Sequence, residues 1–400
     1  PGHSAKSVTA RMPLPVPRSS KAKGLGPAKA SAIRHSVSGR GSSTSAVTAK
    51  SRPQNSRRPR ILATGSRASA PPIPGLDKTP YLTNETIFSA ETQPEKLLII
   101  GAGPIGLELG QAFIRLGSQV EIIDIAPPLG RNEPEHADML VNALKAEGVI
   151  FHTPAQTKLI RKTEAGVAID LDNGTTLEGS HLLVAAGRRP VMDGLELEAA
   201  NIKYTKRGIE TDDRLRTSNK RVFAVGDVSG RGGLTHAAGF HAGIIIKAFY
   251  FLPPLLSRLL GKATTNRMPA AIYTQPELAN IGMSEAEARD KGYNVKVLTW
   301  AFEDNDRAIA ERSDIGGVKI IATNKGKILG ASIVGEGAGD LIQMISVAMT
   351  NNVKISGLAQ IISPYPTRGE AVKRAASSFY TDAIFGKKAK AFAGFLARFH

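Results

Sequence analysis

Between residues 96 and 117 an apolar strand, a glycine-rich turn and an amphipathic helix follow one another without interruption. The turn reads Gly101-x-Gly103-x-x-Gly106. Lys96–Ile100 has the unbroken apolar text of a strand buried on both faces, and Pro104 stands where the first helical residue needs no N–H donor. The predicted helix carries Ile105, Leu109, Ala112, Phe113 and Leu116 on its apolar face and stops at Gly117. Val120–Asp124 is the next strand. In such a unit Gly101 permits the tight turn, Gly103 lets a pyrophosphate approach the backbone, and Gly106 allows close helix–strand packing. The unpaired N–H groups at the helix start favour an anion. Strand before, helix after and acid at the end of the second strand together read as a dinucleotide-binding unit.

Asp124 lies 23 residues after Gly101. It is suited to accept hydrogen bonds from ribose hydroxyls and to repel a 2′-phosphate, which favours NAD over NADP. No Lys or Arg occupies 125–130, although Arg131 lies just beyond. The competing reading leaves Asp124 as a solvated acid at a strand end.

Strands and helices continue to alternate, and the fold class read from them is α/β. The pattern predicts a helix over Glu133–Glu147, a strand over Val149–His152, two strands around Thr157–Leu171 and Thr175–Leu177 with an Asn173-Gly174 turn, and a strand over His181–Ala185. Arg221–Val225 is a further strand, ending at Gly226-Asp227, with a helix from near His236. From Arg267 the text changes to strands at Ala270–Tyr273, Val295–Phe302, Val318–Ala322 and Ile328–Val334. Helices are expected there at Ser284–Lys291, Gly339–Asn351 and Gly369–Tyr380, making a separate α+β region.

The 400 residues contain no cysteine, which excludes a disulfide framework, a thiolate metal site and a dithiol redox pair within them. Redox chemistry in this chain must use a bound cofactor. The formal charge of +17 is uneven: residues 1–60 hold 13 Lys and Arg and no acid, which leaves 39 basic against 35 acidic residues in the rest. That basic segment lacks aromatic residues, so it has neither a core nor a stacking surface, and no nucleic-acid partner is expected. The most apolar stretch, Gly243 to Gly261, is broken by Lys247, Pro253, Pro254 and Arg258, so no membrane span is expected.

Seven motifs in fixed order resemble one family: ATGS at Ala63–Ser66, PPIPGLD at Pro71–Asp77, GAGPIGLELG at Gly101–Gly110, VAAGRRP at Val184–Pro190, RVFAVGDV at Arg221–Val228, YTQPELANIGMSEAEA at Tyr273–Ala288 and SPYPTRGE at Ser363–Glu370. They resemble class I pyridine nucleotide-disulfide oxidoreductases, the group of dihydrolipoamide dehydrogenase and mercuric reductase. The phrase NDRA at Asn305–Ala308 and YPT in place of HPT look closest to the mercuric reductase-like branch. The resemblance implies FAD/NAD(P)-binding three-layer Rossmann-like domains with a C-terminal α+β dimerisation domain, a homodimer, and hydride transfer from NADH to FAD.

The same resemblance assigns residues. Gly65, Gly187, Gly226 and Asp227 would contact cofactor, Asp227 through the flavin ribitol, while Gly101, Gly103, Gly106 and Asp124 would hold NAD. Glu108 matches a glutamate near the flavin N5, although by itself it reads as a solvated helical acid. Tyr365 stands in the position of the family's histidine base, with Glu370 five residues later. Tyrosine titrates near 10 and cannot exchange protons at neutral pH as imidazole does, so its expected role is hydrogen bonding or stacking, against a plain interface tyrosine. Implied domains are a partial FAD domain at 60–83 and 212–265, an NAD domain at 84–211, a dimerisation domain at 266–385 and a basic tail at 386–400.

The family's own N-terminal FAD fingerprint and Cys-x4-Cys pair are missing from this text. Residues 1–59 have the Arg, Ala, Gly, Pro and Ser bias of GC-rich codons read out of frame, and the expectation is a reading-frame error or gene lesion there, with a transit peptide second. Two functions compete. One is a cytoplasmic oxidoreductase passing electrons from flavin to a small non-disulfide acceptor such as a quinone, metal ion or oxygen. The other is a catalytically impaired nucleotide-binding remnant.

Overall fold

A computed structural model describes residues 59–251, 262–263, 267–386 and 389, which belong to a unit spanning Arg57–His400. The expectations for residues 1–58, for 252–261 and for nearly all of the 386–400 tail fall outside the described residues. The chain enters through two short strands, β1 (Arg60–Leu62) and β2 (Ser66–Ala68). Strand β3 (Lys96–Ile100) leads into helix α1 (Pro104–Arg115). The helix ends in a Schellman arrangement: Gly117, at φ +100°, donates its N–H to the Ile114 carbonyl, and Ser118 donates to the Phe113 carbonyl, both at 3.0 Å. Then come β4 (Gln119–Ile123), α2 (Pro134–Ala146), β5 (Ile150–His152) and the antiparallel strands β6 (Thr157–Lys162), β7 (Val167–Leu171) and β8 (Thr176–Gly179).

Strand β9 (His181–Val184) returns beside β3 and completes a parallel sheet of order β5-β4-β3-β9. Strand β3 is apolar on both faces past Lys96 because both are covered. Leu97, Ile99 and Ile122 pack with Leu107 of α1 and with Leu140 and Leu144 of α2. Leu98, Ile100 and Ile123 point the other way, into Ile160, Ile169 and Leu177 of the β6-β7-β8 layer. Alternate residues of each strand thus serve different layers, the geometric reason for the unbroken apolar text.

Next, β10 (Arg188–Pro190) pairs antiparallel with β2, β11 (Tyr204–Thr205) with β12 (Gly208–Ile209), and β13 (Val222–Ala224) runs parallel to β1. Helix α3 (Thr235–Ile246) follows. The remaining strands are β14 (Ala270–Ile272), β15 (Glu277–Gly282), β16 (Val295–Ala301), β17 (Gly317–Thr323) and β18 (Ile328–Gly335), in an antiparallel sheet of order β14-β15-β18-β17-β16. Between and after them lie α4 (Glu285–Asp290), α5 (Asp306–Ala310), α6 (Ala338–Thr350), α7 (Ile355–Ala359) and α8 (Glu370–Ser378). Ile342 and Ile345 of α6 and Val372 and Ala376 of α8 cover one face of this sheet over Ile281, Ile320 and Ile333.

The other face meets the start of α2. Lys319, buried on β17, extends its ammonium to Glu133 at 2.6 Å, Glu135 at 2.5 Å and Glu285 at 2.9 Å. Burial alone would lower its pKa, but the hydrogen bonds to the three carboxylates outweigh that and raise it. Beside them His136 Nδ1 lies 2.8 Å from Ser332 Oγ, and both side chains are buried.

Three expectations need correction. Leu116 is exposed and Leu107 is fully buried, because α1 turns Gly106, Leu107 and Gly110 toward the sheet. At Asn173-Gly174 only the glycine has positive φ (+84°), and Leu171 N–H to Thr175 O (2.8 Å) closes a three-residue loop in place of a two-residue turn. The stretch Thr157–Leu171 is a hairpin, broken at Gly166, whose φ is +143°. Strand β15 and helices α5 and α7 are short elements not among the sequence expectations.

Burial drops the His136 pKa to about 4. The folded protein therefore leaves this imidazole neutral where the unfolded chain, titrating near 6.5, takes up a proton. Stability from this group is present above pH 6.5 and is lost as pH falls toward 4. Urea unfolding at pH 7 and pH 5 is expected to differ by about 2 kcal/mol from this group, and His136→Gln removes that part of the difference.

Candidate functional site

The parallel sheet switches direction of connection between β3 and β9, and ligands of open α/β sheets lie outside the carboxyl ends of strands at such a point. Gly101 occupies it at φ +115°, where a Cβ would come 2.6 Å from the Ala185 carbonyl oxygen. A Cβ on Gly106 would meet the Gly101 carbonyl oxygen at 1.9 Å, so the helix rests directly on the turn. Gly103 differs: nothing lies within 4 Å of its Cβ position. It is also the N-cap of α1 and makes no side-chain cap, so the first helical N–H groups face this open side. Those features fit a nucleotide pyrophosphate.

Asp124, half-buried after β4, accepts the Ala102 N–H on Oδ2 at 2.8 Å and the Ala126 N–H on Oδ1 at 3.0 Å. It is thus neither free in solvent nor dedicated to a ligand. It pins the glycine turn to the neighbouring strand, and each oxygen retains a second lone pair for a ribose hydroxyl. Arg131 is exposed.

Along α1 three polar side chains bind residues 273–275, two of them through the backbone. Glu108 Oε1 accepts the Tyr273 N–H at 2.8 Å, and burial holds its carboxyl above the usual range against the lowering effect of that bond. Gln111, buried, donates to the Gln275 carbonyl and accepts its N–H, both at 2.7 Å. Arg115 reaches Gln275 Oε1 at 3.0 Å. The Tyr273 ring is left 73% exposed beside Glu108.

A second cluster forms where β2 and β10 pair. Ser66 Oγ donates to Asp227 Oδ2, while Arg188 donates to Ser66 Oγ at 2.9 Å, to the Ser66 carbonyl at 2.8 Å and to Asn84 Oδ1 at 3.1 Å. Gly226, at φ +67°, donates its N–H to Nδ1 of the buried His241 at 3.1 Å. His241 Nε2 is buried without a hydrogen-bond partner. Around Gly65 and Gly187, both at positive φ, the Cβ positions face open space. Three distant motifs thus converge on one open surface bearing the Asp227 carboxylate. The GxGxxG of the described residues serves the β3–α1 turn, so what this cluster offers a flavin is the Asp227 carboxylate and the open backbone beside it.

Tyr365 donates its hydroxyl to Asp306 Oδ2 at 2.6 Å. That bond, with Glu370 contributing, raises the phenol pKa, so at neutral pH Tyr365 is a hydrogen-bond donor. Glu370 is instead held by Arg374, at 3.0 Å and 2.8 Å from its Nε and Nη2. A cleft of about 350 Å³ is lined by Asp304, Asp306, Glu370 and Arg374.

Comparison with known proteins matches the arrangement. The pyridine nucleotide-disulphide oxidoreductase model covers residues 55–242, and the dimerisation domain of the same enzymes covers 268–376. The chain belongs to the pyridine nucleotide-disulphide oxidoreductase family. A mercuric reductase of Streptomyces lividans is 36% identical over 330 residues, 80% of this chain and 68% of that protein. A Bacillus cereus mercuric reductase is 32% identical over 80% of this chain and 51% of its own length, so the match spans about half to two thirds of these relatives. Among solved structures, the Cu(II) complex of the HOCl-induced flavoprotein disulfide reductase RclA (C43S mutant) from Escherichia coli aligns with TM-score 0.72 at 28% identity, covering 80% of this chain and 72% of that one. LpdA from Mycobacterium tuberculosis aligns with TM-score 0.73 at 25% identity, covering 80% and 69%.

In this family member the sequence reading missed Ser66, Arg188, Gln111, Tyr273 and Asp306. Ser66, Arg188, Tyr273 and Asp306 sit inside quoted motifs, and Gln111 lies one residue past GAGPIGLELG. For Gln111 a signal existed, the polar stripe Glu108, Gln111, Arg115 on a helix otherwise apolar. No sequence signal pairs Asp306 with Tyr365.

Gly103→Val is expected to leave the urea midpoint unchanged and to weaken NADH binding by roughly tenfold or more, because its side chain enters only the open space. Gly106→Val collides with the Gly101 carbonyl and is expected to lower the midpoint sharply. NADH fluorescence titration and urea unfolding check the pair.

Proposed function

We propose that this chain is an FAD-dependent NADH oxidoreductase that delivers electrons to a non-disulfide acceptor, such as a quinone, metal ion or oxygen. The observation that carries the reading is the open face over Gly103, at the sheet's switch point and beside the Asp124 carboxylate. Negative charge at Asp124, with no Lys or Arg at 125–130, supports NAD over NADP. The absence of cysteine from these residues supports an acceptor reached without a dithiol relay. We divide the chain into the FAD segments 60–83 and 212–265, the NAD segment 84–211 and the dimerisation segment 266–385, and we assign a homodimer. Ile362, 97% exposed, and Tyr365, 70% exposed, are the kind of surface such a dimer covers.

Asp227, with Ser66 and Arg188 behind it, would hold a flavin, which would supply the capacity to take hydride from a nicotinamide and pass electrons on. The chain's own residues bind and orient. Backbone N–H groups at the α1 start hold pyrophosphate, and Asp124 orients the adenosine ribose. Asp227, fixed by Ser66 and Arg188, presents its remaining oxygen to the ribitol. Glu108 fixes the backbone under Tyr273, and Tyr365 offers a phenolic donor steadied by Asp306.

A second reading, a nucleotide-binding remnant with impaired catalysis, is favoured by the β1–β13 sheet, which has only two strands among the described residues, and by the single glycine fingerprint. The visible spectrum of purified full chain, before and after anaerobic NADH, decides between them. A flavin band bleached by NADH is expected; a colourless protein that still binds NADH supports the remnant. In a yellow preparation, Asp227→Ala is expected to lower the flavin content per chain roughly fivefold or more while leaving NADH affinity unchanged.

A further inference from the structure

The antiparallel sheet has two unlike ends. At one, Glu277 pairs with Gly335 and Ala301 with Gly317, close to Asn305, Asp306 and Tyr365. At the other, Gly282 pairs with Gly330 and Ala322 with Ile328. A cleft of about 590 Å³ opens at this second end. It shares no residue with the glycine turn, the Asp227 cluster or the cleft lined by Asp306 and Glu370.

Four cations line the cleft: Arg267, Lys291, Lys327 and Lys354. Arg267 is fixed by the Thr350 carbonyl at 3.1 Å and by Asn352 Oδ1 at 3.0 Å. The turn that carries Lys327 is tied to the residue after Lys354 by the Ile355 N–H to Gly326 carbonyl bond at 2.9 Å. Among the described residues, Lys291, Lys327 and Lys354 have no ion-pair or hydrogen-bond partner for their ammonium groups. The single acid in the wall, Glu287, uses Oε2 to accept the Ser284 N–H at 3.2 Å in a capping box. Elsewhere the exposed or buried cations Arg115, Lys319, Arg368 and Arg374 all meet carboxylates. Here like charges share one concavity, which raises the local potential and attracts anions.

The cleft also has an apolar wall. Met283, Ile328, Leu329 and Met349 line it, and the two methionines give a surface that adapts to different shapes. A small inorganic anion would neutralise the rim and leave that wall wet. A neutral apolar molecule would leave the cations unpaired. Concave sites of roughly 300–1,000 Å³ with an apolar lining and a few placed polar groups hold small molecules.

We propose that this cleft binds an amphipathic small-molecule anion, an apolar body bearing a phosphate or carboxylate group. Its cations draw the charged group, and its methionine-lined wall takes the body.

The test is calorimetric titration of the full chain with 1-naphthyl phosphate, with NAD⁺ in excess to occupy the nucleotide turn. One molecule is expected to bind per chain. Neutral 1-naphthol is expected to bind roughly tenfold more weakly or worse, and so is the naphthyl phosphate when Lys327→Glu is combined with Lys354→Glu. Met349→Trp, which fills the apolar wall, is expected to reduce binding similarly. All the charge changes are at exposed positions; should the double variant not fold, Lys327→Gln alone is expected to weaken binding roughly threefold. No binding, equal binding of 1-naphthol, or binding unaffected by these lysine changes overturns the proposal. Binding of a hexaglutamate peptide that excludes naphthyl phosphate and ignores Met349→Trp would overturn it in favour of a protein partner.

Discussion

The carbonyl oxygen of Gly101 occupies the place that any side chain at position 106 would need. This single approach presses α1 onto β3 and lets Leu107, the sheet and α2 close into one apolar layer. It also sets the turn at its height above the strand ends, so that Ala102 N–H meets Asp124 and Gly103 faces open space. The close helix contact and the open face are set by different glycines in one six-residue turn.

From there the constraint passes to the second half of the molecule. The loop after Asp124 leads to α2, whose first turn is fixed by Lys319 from the antiparallel sheet. Glu133 also accepts the Glu285 N–H at 2.7 Å, so one buried carboxylate joins the starts of α2 and α4 to β17. An ammonium among three carboxylates contributes little net stability beyond an apolar packing of the same volume, but removing one member leaves a buried charge unpaired. Its consequence is geometric: the glycine turn, the 273–275 segment bound by α1 and the antiparallel sheet are held in one frame.

The β3–α1–β4 unit was legible in the sequence to within one residue, because periodicity, Pro104 and Gly117 mark its boundaries independently. The layer facing of α1 was less so: Leu107 and Leu116 are equally apolar, and only the glycine contact decides which is buried. Asp124 was legible as an acid at the turn, but its two backbone bonds were not, since they depend on where the loop after it bends. Pairings such as Tyr365 with Asp306, 59 residues apart, or Lys319 with Glu133, 186 apart, exist only after the sheet has formed. In the structure ATGS, AAGRRP and GD, far apart in the text, come together around Asp227.

The central claim is that the glycine turn is a nicotinamide nucleotide site. A crystal structure of the full chain grown with NADH tests it most directly. The account predicts pyrophosphate density against the Gly103 backbone at the start of α1, with the adenosine ribose hydroxyls on Asp124. Nucleotide density at another surface, or none at this turn with NADH in excess, would contradict it.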